Sequence, residues 1–130
     1  MTAVEINFDG GARPNPGQSA IGYIVEAADW REERSAHIGE STNSRAEYHA
    51  LIQALELAAQ RESDRVVAKG DSRLIVRQVS GDWNVNDDEL RRLNRRVQEL
   101  KSEFESFEIR EVSREENTEA NDLVDSALSD

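Results

Sequence analysis

Between Thr2 and Phe8 the chain alternates, with Val4, Ile6 and Phe8 apolar and their neighbours mostly polar. That is the period of a strand with one buried face. Gly10 to Gly17 holds both prolines of the protein and predicts a turn, which leaves Asp9 at the end of the first strand. Ala20 to Ala28 and Arg34 to Ile38 predict two further strands, and three strands in succession suggest an antiparallel meander. With Asn43 or Ser44 as cap, the spacing of Leu51, Ala54, Leu55 and Ala58 predicts a helix reaching about Arg61. A Val-rich strand over Asp64 to Lys69 follows, then a helix from Ser72 to about Val79 and a loop, Ser80 to Asn86, carrying Trp83. A longer helix begins near Asp87, with Leu90, Leu93, Val97 and Leu100 at helical spacing; Phe107 to Val112 predicts a last strand and Thr118 to Leu128 a last helix. This order predicts an α/β protein, a mixed sheet covered by helices.

Nothing along residues 1–130 reads as a repeat or a long linker, and the length suits one domain. No apolar run is long enough to span a bilayer, and the first residues lack the basic-then-apolar pattern of a signal peptide. The expectation is a soluble, cytoplasmic monomer with no membrane partner. The absence of cysteine excludes disulfides and thiolate metal sites, so a metal would sit on oxygen or on the imidazoles of His37 and His49. Neither histidine is placed to serve: His49 is two residues beyond Glu47 and faces another way, and His37 reads as a surface strand residue. Oxygen ligands imply a hard cation.

The net charge of -11 argues against the basic footprint of a nucleic-acid binder. Composition alone favours an acidic domain that never meets nucleic acid. The basic set is lopsided, however, because Lys69 and Lys101 are the only lysines and arginine supplies the rest. Abundant surface acid with scarce lysine resembles proteins of salt-loving organisms. In molar salt the Debye length falls to about 3 Å, distant repulsion is screened, and the acid becomes a solubility device.

Three carboxylates stand beside turns or caps. Asp9 is followed by Gly10 and Gly11, where backbone can approach a ligand without a Cβ in the way; an Asp opening a turn is the plainer alternative. Glu47 lies one turn before Leu51 on the apolar stripe, where a carboxylate is costly unless paired or metal-bound; a first-turn glutamate serving the helix dipole is the other reading. Asp71 falls at the carboxyl end of a strand, where open α/β sheets bind ligands, or else it is an ordinary N-cap. Together, three acids on different elements suit two divalent ions of the kind that phosphoryl-transfer enzymes use.

Asp-Gly-Gly-Ala-Arg-Pro-Asn-Pro-Gly (Asp9 to Gly17), Thr-Asn-Ser-Arg-Ala-Glu-Tyr (Thr42 to Tyr48), Gly-Asp-Ser (Gly70 to Ser72) and the run from Asn117 to Leu128 resemble ribonuclease H type 1, in the same order and over the whole chain. The resemblance implies an RNase H-like fold, a mixed five-stranded sheet with three antiparallel strands and then two parallel ones, flanked by helices. It implies hydrolysis of the RNA strand of RNA/DNA hybrids to 5′-phosphate and 3′-hydroxyl ends, with two divalent cations, Mg²⁺ or Mn²⁺, on Asp9, Glu47 and Asp71. Asn15, Thr42 and Asn43 match positions that contact the substrate backbone, and Gly10, Gly11 and Ser44 lie beside them.

The chain departs from the family at three places. A fourth carboxylate usually opens the last helix in an Asn-x-x-Ala-Asp pattern; here the run is Asn117-Thr118-Glu119-Ala120-Asn121-Asp122, and the ligand position falls on Asn121. At about 100° per residue, Leu123, Val124, Ala127 and Leu128 define the core side of that helix, with Asn121 at its edge, Asp125 farther round and Asp122 nearly opposite. The order of candidates is therefore Asn121, Asp125, Asp122, and an amide should hold metal more weakly than a carboxylate. Val112 to Glu116 lacks the histidine many members carry, leaving Arg114 as the cationic candidate or as a solvated loop residue. Ser80 to Asp88 is too short and acidic for a basic substrate-gripping insertion; Arg91, Arg92, Arg95 and Arg96 either contact phosphates or, the preferred reading, pair with Glu89, Glu99 and Glu103. Two other functions compete: a different nuclease of the same general fold, and a hybrid-binding module without catalysis.

Overall fold

A computed structural model of the chain describes residues 1–129. Strands β1 (Ala3–Arg13), β2 (Gly17–Glu26) and β3 (Arg31–Ser41) form the meander, followed by helix α1 (Asn43–Gln60), strand β4 (Arg65–Gly70), helices α2 (Arg73–Ser80) and α3 (Asp88–Lys101), strand β5 (Ser106–Glu111) and helix α4 (Thr118–Ser129), which a short 3-10 turn (Glu115–Asn117) precedes. The sheet order is β3-β2-β1-β4-β5. β1 pairs antiparallel with β2, β2 antiparallel with β3, and β4 parallel with both β1 and β5. No described helix is long and apolar enough to cross a membrane.

The alternation seen in the sequence sets the inner face: Val4, Ile6 and Phe8 are buried together with Leu51, Ala54, Leu55 and Ala58 of α1. Val97 and Leu100 bring α3 into the same core. α4 covers the other face, packing Val124 and Ala127 on Ala20 of β2. Two glycines permit this close layering. A Cβ on Gly10 would lie 2.3 Å from the Ala46 carbonyl carbon of α1, and one on Gly22 would lie 2.6 Å from Leu123 Cβ of α4. On opposite faces of neighbouring strands, these positions let helix backbone rest almost directly on the sheet.

Three expectations need correction. β1 does not stop at Asp9; it runs on to Arg13, because Asp9, Gly10, Gly11 and Ala12 continue the ladder to Gly22, Ile21, Ala20 and Ser19 of β2. The turn shrinks to Pro14–Pro16, where neither proline can donate to a ladder. α1 is capped by Thr42, whose hydroxyl accepts from Arg45 N–H, and not by Asn43 or Ser44. β3 is longer than Arg34 to Ile38 because it lies at the sheet edge, where charged side chains suppress the apolar period that marks a strand.

Candidate active site

The parallel register of β1 with β4 runs only from Ala3–Arg65 to Asn7–Lys69. Beyond it β4 turns into α2, and the next hydrogen-bonding groups along that edge of β1 have lost their strand partner. Side chains replace it. The Phe8 carbonyl accepts from Asn117 Nδ2 at 2.9 Å, Gly10 N–H donates to Glu47 Oε1 at 2.5 Å, and Ala12 N–H donates to Asn43 Oδ1 at 2.8 Å. These groups recur every second residue, as one edge of an extended strand must, and buried backbone groups require partners. Filling the vacated edge thus draws the N-terminus of α1 and the start of α4 in around Asp9.

Asp9, Glu47 and Asp71 meet there, each offering a carboxylate oxygen within 4.8 Å of the others. Asp9 and Glu47 are only 6% and 5% exposed. Asp71 follows β4 and is free of capping duty, because Ser72 caps α2 by accepting from Ile75 N–H. Its carboxylate instead accepts from Asn117 Nδ2 at 3.1 Å. Burial pushes the Glu47 carboxyl well above the ordinary carboxylate range, and the neighbouring Asp9, which favours a proton held on Glu47 and adds negative charge, pushes the same way. Burial also raises Asp9, with Asp71 adding repulsion, while a proton held on Glu47, the Arg114 charge and Gly10 N–H pull it back.

Among the described residues, Glu47 Oε2 is buried with no hydrogen-bond partner, and so is Asn121 Oδ1. A buried, unpartnered carboxylate oxygen within a mutually repelling acid trio is what a hard cation would satisfy, and the donor set of the trio is all oxygen. The carboxylates line a cleft of about 370 Å³ with Gly10, Gly11, Asn43, Ser44 and Arg114.

The remaining sequence candidates separate. Asn121 is 6% exposed, and its Nδ2 donates to the Arg114 carbonyl at 3.2 Å, tying the loop before α4 to the helix. Asp125 lines the cleft but is paired with Arg13. Asp122 is exposed. Asn15 Oδ1 accepts from Asn43 N–H, so Asn15, Asn43 and the capping Thr42 form one linked segment, each with side-chain donors to spare. Gly10 N–H, in contrast, is committed to Glu47 and is not available to a ligand.

Arg114 is exposed on the cleft wall and has no ion pair among the described residues. Neither histidine lines the cleft; His37 is exposed, and burial lowers His49 on α1. On α3, Arg92 pairs with Glu89 as expected, but Arg91 takes Asp88 and Arg96 reaches Glu56 of α1, in place of Glu99 and Glu103. In the sequence Asn117 stands only as the first residue of the Asn-x-x-Ala-Asp pattern, with no role of its own; the fold sets it against Phe8 and Asp71.

A family model described as reverse transcriptase-like matches residues 7–127. The chain is 41% identical over 98% of its length to a ribonuclease HI of Halobacterium salinarum, of which it spans 65%, a little under two thirds. Among solved structures, RNase H1 from the same halophilic archaeon superposes with a TM-score of 0.93 at 40% identity, covering 98% of both chains. LC11-RNase H1, solved in complex with an RNA/DNA hybrid, superposes with a TM-score of 0.87 at 36% identity, covering 97% of this chain and 96% of that one. On its sequence, its fold and these relatives, the chain belongs to the ribonuclease H type 1 family.

Proposed function

We propose that the chain hydrolyses the RNA strand of RNA/DNA hybrids, with Asp9, Glu47 and Asp71 and the amide oxygen of Asn121 holding two divalent cations, Mg²⁺ or Mn²⁺. The observation that carries this is the meeting of three carboxylates from β1, α1 and the β4–α2 connection within 4.8 Å in one cleft. The hybrid complex of the LC11 relative supports the substrate class. Cations held by these residues would supply activation of the attacking water and offset of the charge on the leaving 3′-oxygen, a chemistry that leaves 5′-phosphate and 3′-hydroxyl ends.

The protein's own residues prepare that chemistry. Gly10 N–H fixes Glu47 Oε1 and leaves Oε2 for a cation. Burial of Asp9 and Glu47 keeps the site drier than a surface acid cluster and strengthens every interaction within it. Arg114, without an ion pair among the described residues and on the cleft wall, is a phosphate contact. Asn43 and Ser44 line the cleft, with Asn15 and Thr42 linked to Asn43, and their spare donors would serve the strand to be cut, where bonds to 2′-hydroxyls select RNA. The surplus of acid over lysine suits work in molar salt, as does the likeness to a protein of a halophilic archaeon.

The test is incubation with an end-labelled hybrid in Mg²⁺, in Mn²⁺ and in EDTA. Cleavage in either metal and none in EDTA is the expected result. A second reading, a hybrid-binding module without catalysis, is favoured by the amide at position 121; it is recognised by retention of hybrid without cleavage in either metal.

A further inference from the structure

We infer that Asn117 is a positioning residue that locks Asp71 to β1 across the fork where β1 and β4 part, and so sets the geometry between Asp71 and Asp9. The inference rests on the functional reading above. Asn117 is 1% exposed, and every polar atom of its amide is used. Nδ2 donates one hydrogen to the Phe8 carbonyl at 2.9 Å and the other to Asp71 Oδ2 at 3.1 Å, while Oδ1 accepts from Asn7 Nδ2 at 3.2 Å. The orientation is forced. A flipped amide would set its oxygen against a carbonyl and a carboxylate and its hydrogens against another NH₂ group.

The location gives this bridge its consequence. Asn7 and Lys69 are the last paired residues of β1 and β4, so Phe8 is the first residue of β1 with no strand on its β4 side, and Asp71 lies just past the end of β4. The Asn117 amide stands between them in the place of the missing ladder bond. One NH₂ group therefore holds the backbone immediately before Asp9 and the side chain of Asp71 at once. Asn7, two residues before Asp9, fixes the amide from the other side. Among the described residues, Asp71 has no other hydrogen-bond partner for its carboxylate, so without Asn117 its rotamer is set by repulsion from Asp9 and Glu47 alone.

Partners that orient a metal ligand typically govern about 10–100-fold in metal affinity. The test is Mn²⁺ binding to the otherwise metal-free protein, by calorimetry and by electron paramagnetic resonance, beside kcat and KM on hybrid. Asn117→Ala should weaken Mn²⁺ binding by about 10–100-fold and lower kcat with KM for hybrid unchanged, and added Mn²⁺ should recover part of kcat. Asn117→Asp, equal in size but without donors, should be at least as damaging, and Asn7→Ala should shift affinity in the same direction by less. A merely structural asparagine would lower the melting temperature while leaving Mn²⁺ affinity and kcat unchanged well below it; that result overturns the inference. Should neither variant at position 117 fold, Asn7→Ala decides: weaker Mn²⁺ binding supports the bridge, unchanged binding refutes it. A wild-type protein that cuts no hybrid would sink the functional reading while leaving the Mn²⁺ comparison intact, and one that binds no Mn²⁺ would sink both.

Discussion

Glu47→Gln should stabilise the metal-free protein at neutral and alkaline pH while removing its activity. Glutamine keeps the shape of the side chain and the oxygen that accepts from Gly10 N–H, and it replaces the buried, unpartnered Oε2 with an NH₂ group that can donate to Asp9. Leaving such an oxygen buried without a partner costs about 1–3 kcal/mol. For a chain of this size each kcal/mol moves the melting temperature by roughly 4 °C, so the gain should lie at about 4–12 °C. The sign with pH follows from the raised Glu47 carboxyl. In the unfolded chain it titrates near pH 4, as glutamates ordinarily do. Below that both states are protonated and wild type and variant should melt alike. As pH rises toward and through the higher folded value, the native wild type loses stability that the glutamine variant keeps, and the difference grows to a plateau. Asp9, raised by the same burial, acts in the same direction. Melts by circular dichroism from pH 4 to 9 in EDTA at fixed KCl measure this, and Mn²⁺ should then raise wild type more than the variant. A variant that melts lower at pH 8, or a difference that does not change with pH, would show that the buried, ionised Glu47 costs the native state nothing.

Asp9→Asn and Asp71→Asn should each reduce cleavage by at least about 10³-fold, or about 4 kcal/mol of barrier, with the fold retained by circular dichroism; wild-type turnover in either would misplace the metals. Gly10→Ala should lower stability by at least about 3 kcal/mol, because its Cβ would meet the Ala46 backbone at 2.3 Å; an unchanged melting temperature would deny that contact. Asn121→Ala should raise the Mg²⁺ concentration for half-maximal rate and loosen the Arg114 loop, whereas exposed Asp122→Ala should change stability by no more than about 0.5 kcal/mol and leave the rate alone. An inactive Asp122→Ala would shift the ligand position by one residue. Raising KCl toward molar concentrations should increase the melting temperature, since screening relieves the self-repulsion of a net charge of -11 while exposed ion pairs contribute little; greatest stability in dilute buffer would contradict this.

The regular elements were legible because apolar spacing marked them: Val4, Ile6 and Phe8 for β1 and Leu51, Ala54, Leu55 and Ala58 for α1 are the residues that face one another in the core. Boundaries were less so where tertiary contacts overrode local signals. Gly10 and Gly11 read as a turn in isolation, yet pairing with β2 keeps them extended and the approach of α1 requires Gly10 to lack a side chain. The three carboxylates were visible as acids beside turns and caps. Their convergence, and the burial of Asp9 and Glu47, depend on β4 leaving β1 after Asn7, an event no local pattern encodes. For the same reason the role of Asn117 could not be read from its place at the head of the Asn-x-x-Ala-Asp pattern, its partners being 109 and 46 residues away in the chain. Asn121 was placed by helical rotation and is buried, but only the fold reveals that its amide also anchors the Arg114 loop.

Hybrid hydrolysis by the Asp9, Glu47 and Asp71 site is decided by comparing cleavage of three substrates of one sequence, RNA/DNA hybrid, duplex DNA and single-stranded RNA, across Mg²⁺ and Mn²⁺ concentrations in molar KCl. The expected result is cutting of the RNA strand of the hybrid alone, dependent on added metal and leaving 5′-phosphate ends. Cutting of duplex DNA as fast as hybrid, or no cutting of hybrid in either metal, would contradict it.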